Sequence, residues 1–365
     1  MKKDHILFIY NGHMRYYPPF LAILDYLTDC QKYEVTVIAS EYEAHTQKIY
    51  ENKGVKMISL YKIDKSRSYL SRACNMFKRK YVLRHKIEEI TCKIDYDVLW
   101  IIGESTGVTL TNFLKGKEYI QTVYELGDIR SKLYLKKYPV IHYAKVNVAC
   151  EYNRSQIMRA WYGLKELPVV LPNKPYHHPQ GKYLPCEHSE ILRDKKVILY
   201  QGHILPERNL DGICEASLLL KDYTLVMLGG GRSQYKVDLM KKYPNVLFID
   251  HVNPPYHLHI TSYARIGIVT YNTNSLNNIY CAPNKIWEYG GFGIPMLAND
   301  IPGLKDTVEK YGAGLCLDMD NPTAIIEAVG RIDSDYARYS RNAKDMFDGC
   351  DIGTIVEKIL GKYKS

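Results

Sequence analysis

Short apolar runs recur along the whole chain, and each is set off from the next by a segment of helical spacing. The first series is H-I-L-F-I-Y-N-G (5–12), Y-E-V-T-V-I-A-S (33–40), G-V-K-M-I-S-L (54–60), D-V-L-W-I-I-G-E (97–104), Y-I-Q-T-V-Y-E-L (119–126), V-N-V-A-C (146–150) and P-V-V-L-P-N (168–173). A second series begins at K-V-I-L-Y-Q-G (196–202) and continues through T-L-V-M-L-G-G-G-R (224–232), N-V-L-F-I-D-H-V-N (245–253), A-R-I-G-I-V-T-Y (264–271) and I-P-M-L-A (294–298). Strands this apolar, with helices between them, imply parallel sheets covered on both faces. The first strand is expected to end in a turn at Asn11-Gly12. Between the two series, residues 174–193 hold Pro175, His177, His178, Pro179, Gly181, Pro185 and His188 without apolar periodicity, which marks a linker. The expected division is therefore a first domain over 1–173, a linker over 174–193 and a second domain over 194–351. An amphipathic helix closes the chain within 352–365.

A length of 365 residues suits two domains that each bury a core, and 46% hydrophobic with 24% charged residues is a globular balance. The nine cysteines are scattered, odd in number and lack a C-x-x-C pair, so they read as reduced thiols in a cytoplasm, not as a disulfide frame or zinc site. His5 to Tyr10 is too short for a signal peptide, and no run approaches the ~20 apolar residues of a membrane span. The formal charge of +9 predicts anionic partners. Much of it lies between Lys62 and Lys86, where basic residues interleave with Tyr69, Leu70, Met76, Phe77 and Tyr81. That mixture fits either a helix lying on an anionic membrane surface or a solvated helix face. No recognition module accompanies the charge, so nucleic acid is not expected.

The most informative stretch is Y-C-A-P-N-K-I-W-E-Y-G-G-F-G-I-P-M-L-A-N-D (280–300). Pro283 suits a first helical position, and Ile286, Trp287 and Tyr289 form an apolar stripe ending near Gly290 and Gly291. Asn284, Lys285 and Glu288 then fall in the first turns of a short helix. Its free amides, with Lys285 beside them, form a natural site for a phosphate or pyrophosphate, and Glu288 one turn on can accept from ribose hydroxyls. The glycines of 229–231 permit close backbone approach but do not spell G-x-G-x-x-G. Asp318-Met319-Asp320 spells D-x-D, yet it precedes Pro322 and a helix and reads as a capping loop, not a metal site.

P-N-K-I-W-E-Y-G-G-F-G-I-P resembles the donor-binding signature of retaining glycosyltransferases of family 4, in their bacterial surface-polysaccharide branch. The resemblance implies the α/β GT-B fold, two Rossmann-like domains with parallel sheets facing across a cleft, and a last helix that crosses back to the first domain. In that family two glutamates with seven residues between them bracket this loop and helix. Glu288 matches the second, which contacts the nucleotide ribose, and Tyr280 stands at the first, where a donor-sugar carboxylate is usual. In Gly202-His203-Ile204-Leu205-Pro206-Glu207-Arg208, Arg208 matches the second member of a basic pair on the donor pyrophosphate, and His203 takes the place of the first. Val252 matches a loop whose backbone meets the nucleobase. Gly12 matches a glycine facing the cleft, and V-Y-E-L-G-D-I (123–129) resembles the branch's Y-E-x-x-D-I, which makes Glu125 and Asp128 candidates on the acceptor side. Arg208, Lys285, Asp128 and Glu125 are thus the expected catalytic set. His203, Val252, Tyr280, Pro283, Asn284, Glu288 and Gly12 are the expected donor contacts.

The implied activity moves a sugar from a nucleotide-sugar donor to a lipid-linked oligosaccharide, with retention and without metal or other cofactor, in capsule, O-antigen or exopolysaccharide biosynthesis. The implied place is the cytoplasm, peripheral at the inner face of the membrane. A nucleotide-sugar epimerase of the same architecture would bind the same donor but needs no acceptor surface. A dehydrogenase with paired Rossmann domains is denied by N-G-H-M-R-Y after the first strand. A scaffold without catalysis is disfavoured by Arg208, Lys285 and Glu288 occurring together.

Overall fold

The computed structural model describes residues 2–14, 18–60, 84–127, 132–231 and 234–365. It divides into two compact units, one formed by Met1–Tyr176 with Ile352–Ser365, the other by His177–Asp351. Among the described residues no helix is long and apolar enough to cross a membrane.

The first unit is built on seven strands, β1 (Asp4–His13), β2 (Tyr33–Glu41), β3 (Lys56–Ser59), β4 (Val98–Ile102), β5 (Ile120–Val123), β6 (Val146–Ala149) and β7 (Val169–Val170). They pair in parallel in the order β3-β2-β1-β4-β5-β6-β7. Ile6 to Ile9 and Leu99 to Ile102 are wholly buried, as expected for central strands covered on both faces. The chain does not turn at Asn11-Gly12. β1 runs on to His13 with a register shift after Tyr10. Its polar pair is held extended because the Thr106 hydroxyl accepts from the Asn11 N–H (2.9 Å) and Asn11 Oδ1 accepts from the Ser40 hydroxyl (2.9 Å). A Cβ on Gly12 would overlap the Tyr10 ring, so close packing, not a turn, explains this glycine.

The second unit holds β8 (Lys196–Gln201), β9 (Tyr223–Leu228), β10 (Leu247–Ile249), β11 (Ala264–Val269), β12 (Met296–Asn299) and β13 (Gly314–Leu317), all parallel in the order β10-β9-β8-β11-β12-β13. The two Rossmann-like α/β sheets agree with the expectation from sequence. Of the stretch 174–193, His178 packs edge-on against Phe292 and Phe347, and Leu192 is buried in the core of the second unit. The terminal helix Ile352–Lys364 lies in the first unit, where Glu357 accepts from the hydroxyls of Tyr26 (2.6 Å) and Tyr33 (2.8 Å). In each sheet the chain reverses its direction of progress once, between β1 and β4 and between β8 and β11. Such switch points leave a crevice at the carboxyl ends of the two strands, the place where open α/β sheets bind ligands.

Candidate active site

The crevice at the β8/β11 switch point is a pocket of about 340 Å³. β8 delivers Gln201, Gly202 and His203, with Arg208 following on a short helical turn (Pro206–Arg208), and β11 delivers Tyr271. The helix Asn284–Gly291 contributes Asn284, Lys285 and Glu288, with Pro283 as its N-cap in extended conformation. Pro283 thus sits one position outside the helix, not at its first residue, and Asn284 opens the run of free amides. His251, Val252, Pro254 and His257 close the remaining side. Backbone crowding at the floor requires glycine: Gly202 has φ +139°, and a Cβ on Gly229 would lie 1.7 Å from the Gly202 carbonyl oxygen.

Lys285 is buried and makes no ion pair among the described residues. Its ammonium lies 4.4 Å from the Tyr200 ring centroid and 5.8 Å from that of Tyr271. Burial pushes it down to about 7, with the Arg208 charge adding to the effect and Glu288 opposing it. The Arg208 guanidinium stacks on Tyr271, 4.2 Å from the ring centroid. Two cations therefore converge on one pocket beside a helix N-terminus, an arrangement suited to a polyanion.

The Glu288 carboxylate is fixed on both oxygens. His257 Nε2 lies 3.2 Å from Oε1, and Gln201 Nε2 donates to Oε2. Gln201 is itself oriented, since its Oε1 accepts from the Thr261 hydroxyl (2.7 Å). Burial by itself would raise the Glu288 carboxyl, but the charge and hydrogen bond of His257, with Lys285 and His178, outweigh it, and the group lies below its ordinary value. An ionised carboxylate with two lone pairs already engaged retains two for incoming donors, the number a ribose diol presents.

Residues 187–346, within the second unit, match the family model of glycosyl transferases group 1. No curated protein matches the chain. Among solved structures, sucrose-phosphate synthase from Thermosynechococcus elongatus superposes with a TM-score of 0.73 at 14% identity, over 99% of this chain and 98% of that one. Anabaena HepE in complex with UDP-glucose gives 0.68 at 12% identity, over 99% of each. A glycosyltransferase from Rickettsia africae gives 0.65 at 14%, over 100% of this chain and 98% of that one. At these identities the likeness is one of fold, and the match in the second unit supplies the chemistry. The chain is a GT-B glycosyltransferase.

Of the residues singled out in the glycosyltransferase's sequence, its second unit brings Arg208, Lys285, His203, Val252, Pro283, Asn284 and Glu288 around one pocket. Tyr280 does not line it; the residue caps the C-terminal end of the short helix Leu276–Ile279. In the first unit, Gly12 and Glu104 lie at the carboxyl ends of β1 and β4, at that sheet's own switch point. Glu125 is exposed, and its carbonyl accepts from Lys137 (3.2 Å), a buried cation that also faces Glu104 (3.5 Å). Asp128 lies outside the described residues, as does most of the basic stretch 62–86. Of the latter, Arg84 pairs with Glu88 (3.1 Å) and Lys86 donates to the Leu60 carbonyl (3.1 Å). The D-x-D is a loop: Asp318 accepts from the Asp320 N–H, and Asn321 caps the helix Pro322–Ser334. No cluster of metal ligands occurs among the described residues.

Gln201, His257, Tyr271 and Tyr200 were not legible as site residues. Each is a single polar or aromatic residue at the end of an apolar run or in a proline-rich turn, and only their convergence gives them meaning. Gln201, a polar residue closing the run of β8, was the one visible signal.

Proposed function

We propose that the chain is a retaining glycosyltransferase of family 4 that transfers a sugar from a nucleotide-sugar donor to a lipid-linked oligosaccharide in surface-polysaccharide biosynthesis. It works from the cytoplasm, at the anionic inner face of the membrane. The observation that carries the reading is the convergence of Arg208, Lys285 and the helix 284–291 amides beside an oriented Glu288 in the switch-point pocket. In this reading the diphosphate lies against the two cations and the helix N-terminus, Glu288 holds the ribose, and the backbone near Val252 meets the base. His203, Pro283 and Asn284 complete the donor contacts, and Tyr280 serves the sugar side. Solved structures of similar fold hold UDP or UDP-glucose, which favours a uridine diphosphate donor.

As the bond from the anomeric carbon to the diphosphate breaks, negative charge grows on the leaving oxygen, where Arg208 and Lys285 stabilise it as a divalent ion does in other transferases. The acceptor hydroxyl attacks from the same face, the new glycosidic bond forms, and the acceptor proton passes to the departing phosphate. Retention then needs no enzyme nucleophile. Glu125 and Asp128 belong to the acceptor side, and Gly12 is a further donor contact.

A thermal-shift panel of nucleoside diphosphates tests the donor assignment. A ligand at 100 times its dissociation constant stabilises the fold by about 2.7 kcal/mol. UDP is expected to raise the melting temperature. A panel in which no nucleotide does so would remove the proposal's support.

A further inference from the structure

β11 is followed by Thr270-Tyr271-Asn272, and all three reach the turn that carries Arg208. The Thr270 hydroxyl donates to the Arg208 carbonyl (2.7 Å), the Asn272 N–H donates to the Glu207 carbonyl (3.3 Å), and the Tyr271 ring stacks on the guanidinium. Tyr271 is placed independently of these contacts, because its N–H donates to Asn299 Oδ1 (2.6 Å) on β12. The same ring also lies 5.8 Å from the Lys285 ammonium, so one aromatic side chain is shared by two like charges. Neither cation has a carboxylate in ion-pair contact among the described residues. A carboxylate in that place would orient both groups, but it would cancel the positive charge that a diphosphate requires. An aromatic face attracts a cation through its quadrupole and adds no net charge.

We propose that Tyr271 is a positioning residue of the donor site, whose ring holds the Arg208 guanidinium and the Lys285 ammonium ready for the leaving diphosphate while leaving their charge uncancelled. This rests on the reading of Arg208 and Lys285 as the diphosphate-binding pair.

UDP binding by isothermal titration tests it, since UDP carries the charge that the departing diphosphate acquires. Tyr271→Leu is expected to weaken UDP about 10-fold, while Tyr271→Phe, which keeps the ring, stays near wild type. Affinity for uridine, which lacks phosphates, is expected to stay unchanged in both. In an Arg208→Ala background Tyr271→Leu should cost clearly less than alone, as its effect passes partly through Arg208. Unchanged UDP affinity in Tyr271→Leu, an equal loss of uridine, or full additivity with Arg208→Ala would each overturn the proposal. If Tyr271→Leu does not fold, Tyr271→Met against Tyr271→Phe carries the same comparison. Arg208→Ala separates the two levels: if it leaves UDP affinity intact, the diphosphate reading falls and takes the proposal with it. If it weakens UDP while loss of the ring does not, the role of Tyr271 alone is refuted.

Discussion

A lysine buried between two aromatic rings and beside an arginine is placed at a cost to the empty protein, because its charge is desolvated with no carboxylate in ion-pair contact among the described residues, and the more distant Glu288 only partly offsets the loss. Lys285→Met should therefore raise stability by roughly 0.5–2 kcal/mol in urea unfolding, the usual exchange at a functional site, while turnover falls about 10²–10³-fold. The sign of the pH effect follows from a folded pKa of about 7 against 10.5. Between those values the unfolded chain binds a proton that the folded one does not, so stability rises with pH across that window. Below about 7 both states are protonated and the penalty is constant. Lys285→Met is expected to flatten this slope. UDP affinity should decline as pH rises above about 7, because binding must then recharge the ammonium; titration at several pH values checks it, and a pH-independent affinity contradicts it. Glu288 plays a different part, since its partners are in place before the donor arrives. Glu288→Gln should raise KM for the donor about 10-fold, the scale of hydrogen bonds to a charged group, with kcat much less affected.

The helix Asn284–Gly291 delivers its N-terminus accurately because its other side is locked. The Tyr289 ring is wholly buried and its hydroxyl donates to the Leu199 carbonyl on β8 (2.9 Å), while Gly267 on β11 leaves the room that the ring fills. A Cβ on Gly267 would come within 2.5 Å of the Tyr289 ring. Gly267→Ala should cost about 1–3 kcal/mol in urea unfolding through overpacking, and it should weaken UDP by displacing the helix. Wild-type stability in that variant would show that Tyr289 does not seat the helix. The paired glycines at the helix end also have a role that their order in sequence did not disclose. Gly290 and Gly291 are helical and permit close packing, Gly290 against the Ala343 carbonyl and Gly291 against the His178 ring, whereas Gly293, at φ +61°, takes the left-handed position just past the C-cap.

At the scale of the whole molecule, the terminal helix Ile352–Lys364 is part of the first unit's structure. Ile352, Val356, Ile359 and Leu360 are buried, and Glu357 receives two tyrosine hydroxyls. Glu357→Ala would strip Tyr26 and Tyr33 of their shared acceptor and should cost about 1–3 kcal/mol in urea unfolding. Burial would raise the Glu357 carboxyl, but the hydrogen bonds from Tyr26 and Tyr33 hold it below 4.5. Its contribution is thus present above the ordinary carboxylate pKa and is lost as pH falls through the lowered one. A variant with unchanged stability at neutral pH would remove this anchor from the account.

The sequence by itself determined the parallel α/β architecture, because uninterrupted apolar runs separated by helices leave few other ways to bury them. It also marked the helix 284–291 and Lys285, Glu288 and Arg208, because proline, glycine and charge carry local rules that need no partner. Other features depended on contacts between strands distant in the chain. Asn11-Gly12 reads locally as a turn, but Thr106 and Ser40 supply hydrogen bonds that keep it in β1. Gln201, His257 and Thr261 form a chain around Glu288 only because the end of β8 and the helices His257–Thr261 and Asn284–Gly291 are brought together by the fold. Tyr271 gains its two cations in the same way. The switch point that makes the pocket is a property of strand order, and strand order is decided by which hydrophobic faces pair in three dimensions, not by any residue alone.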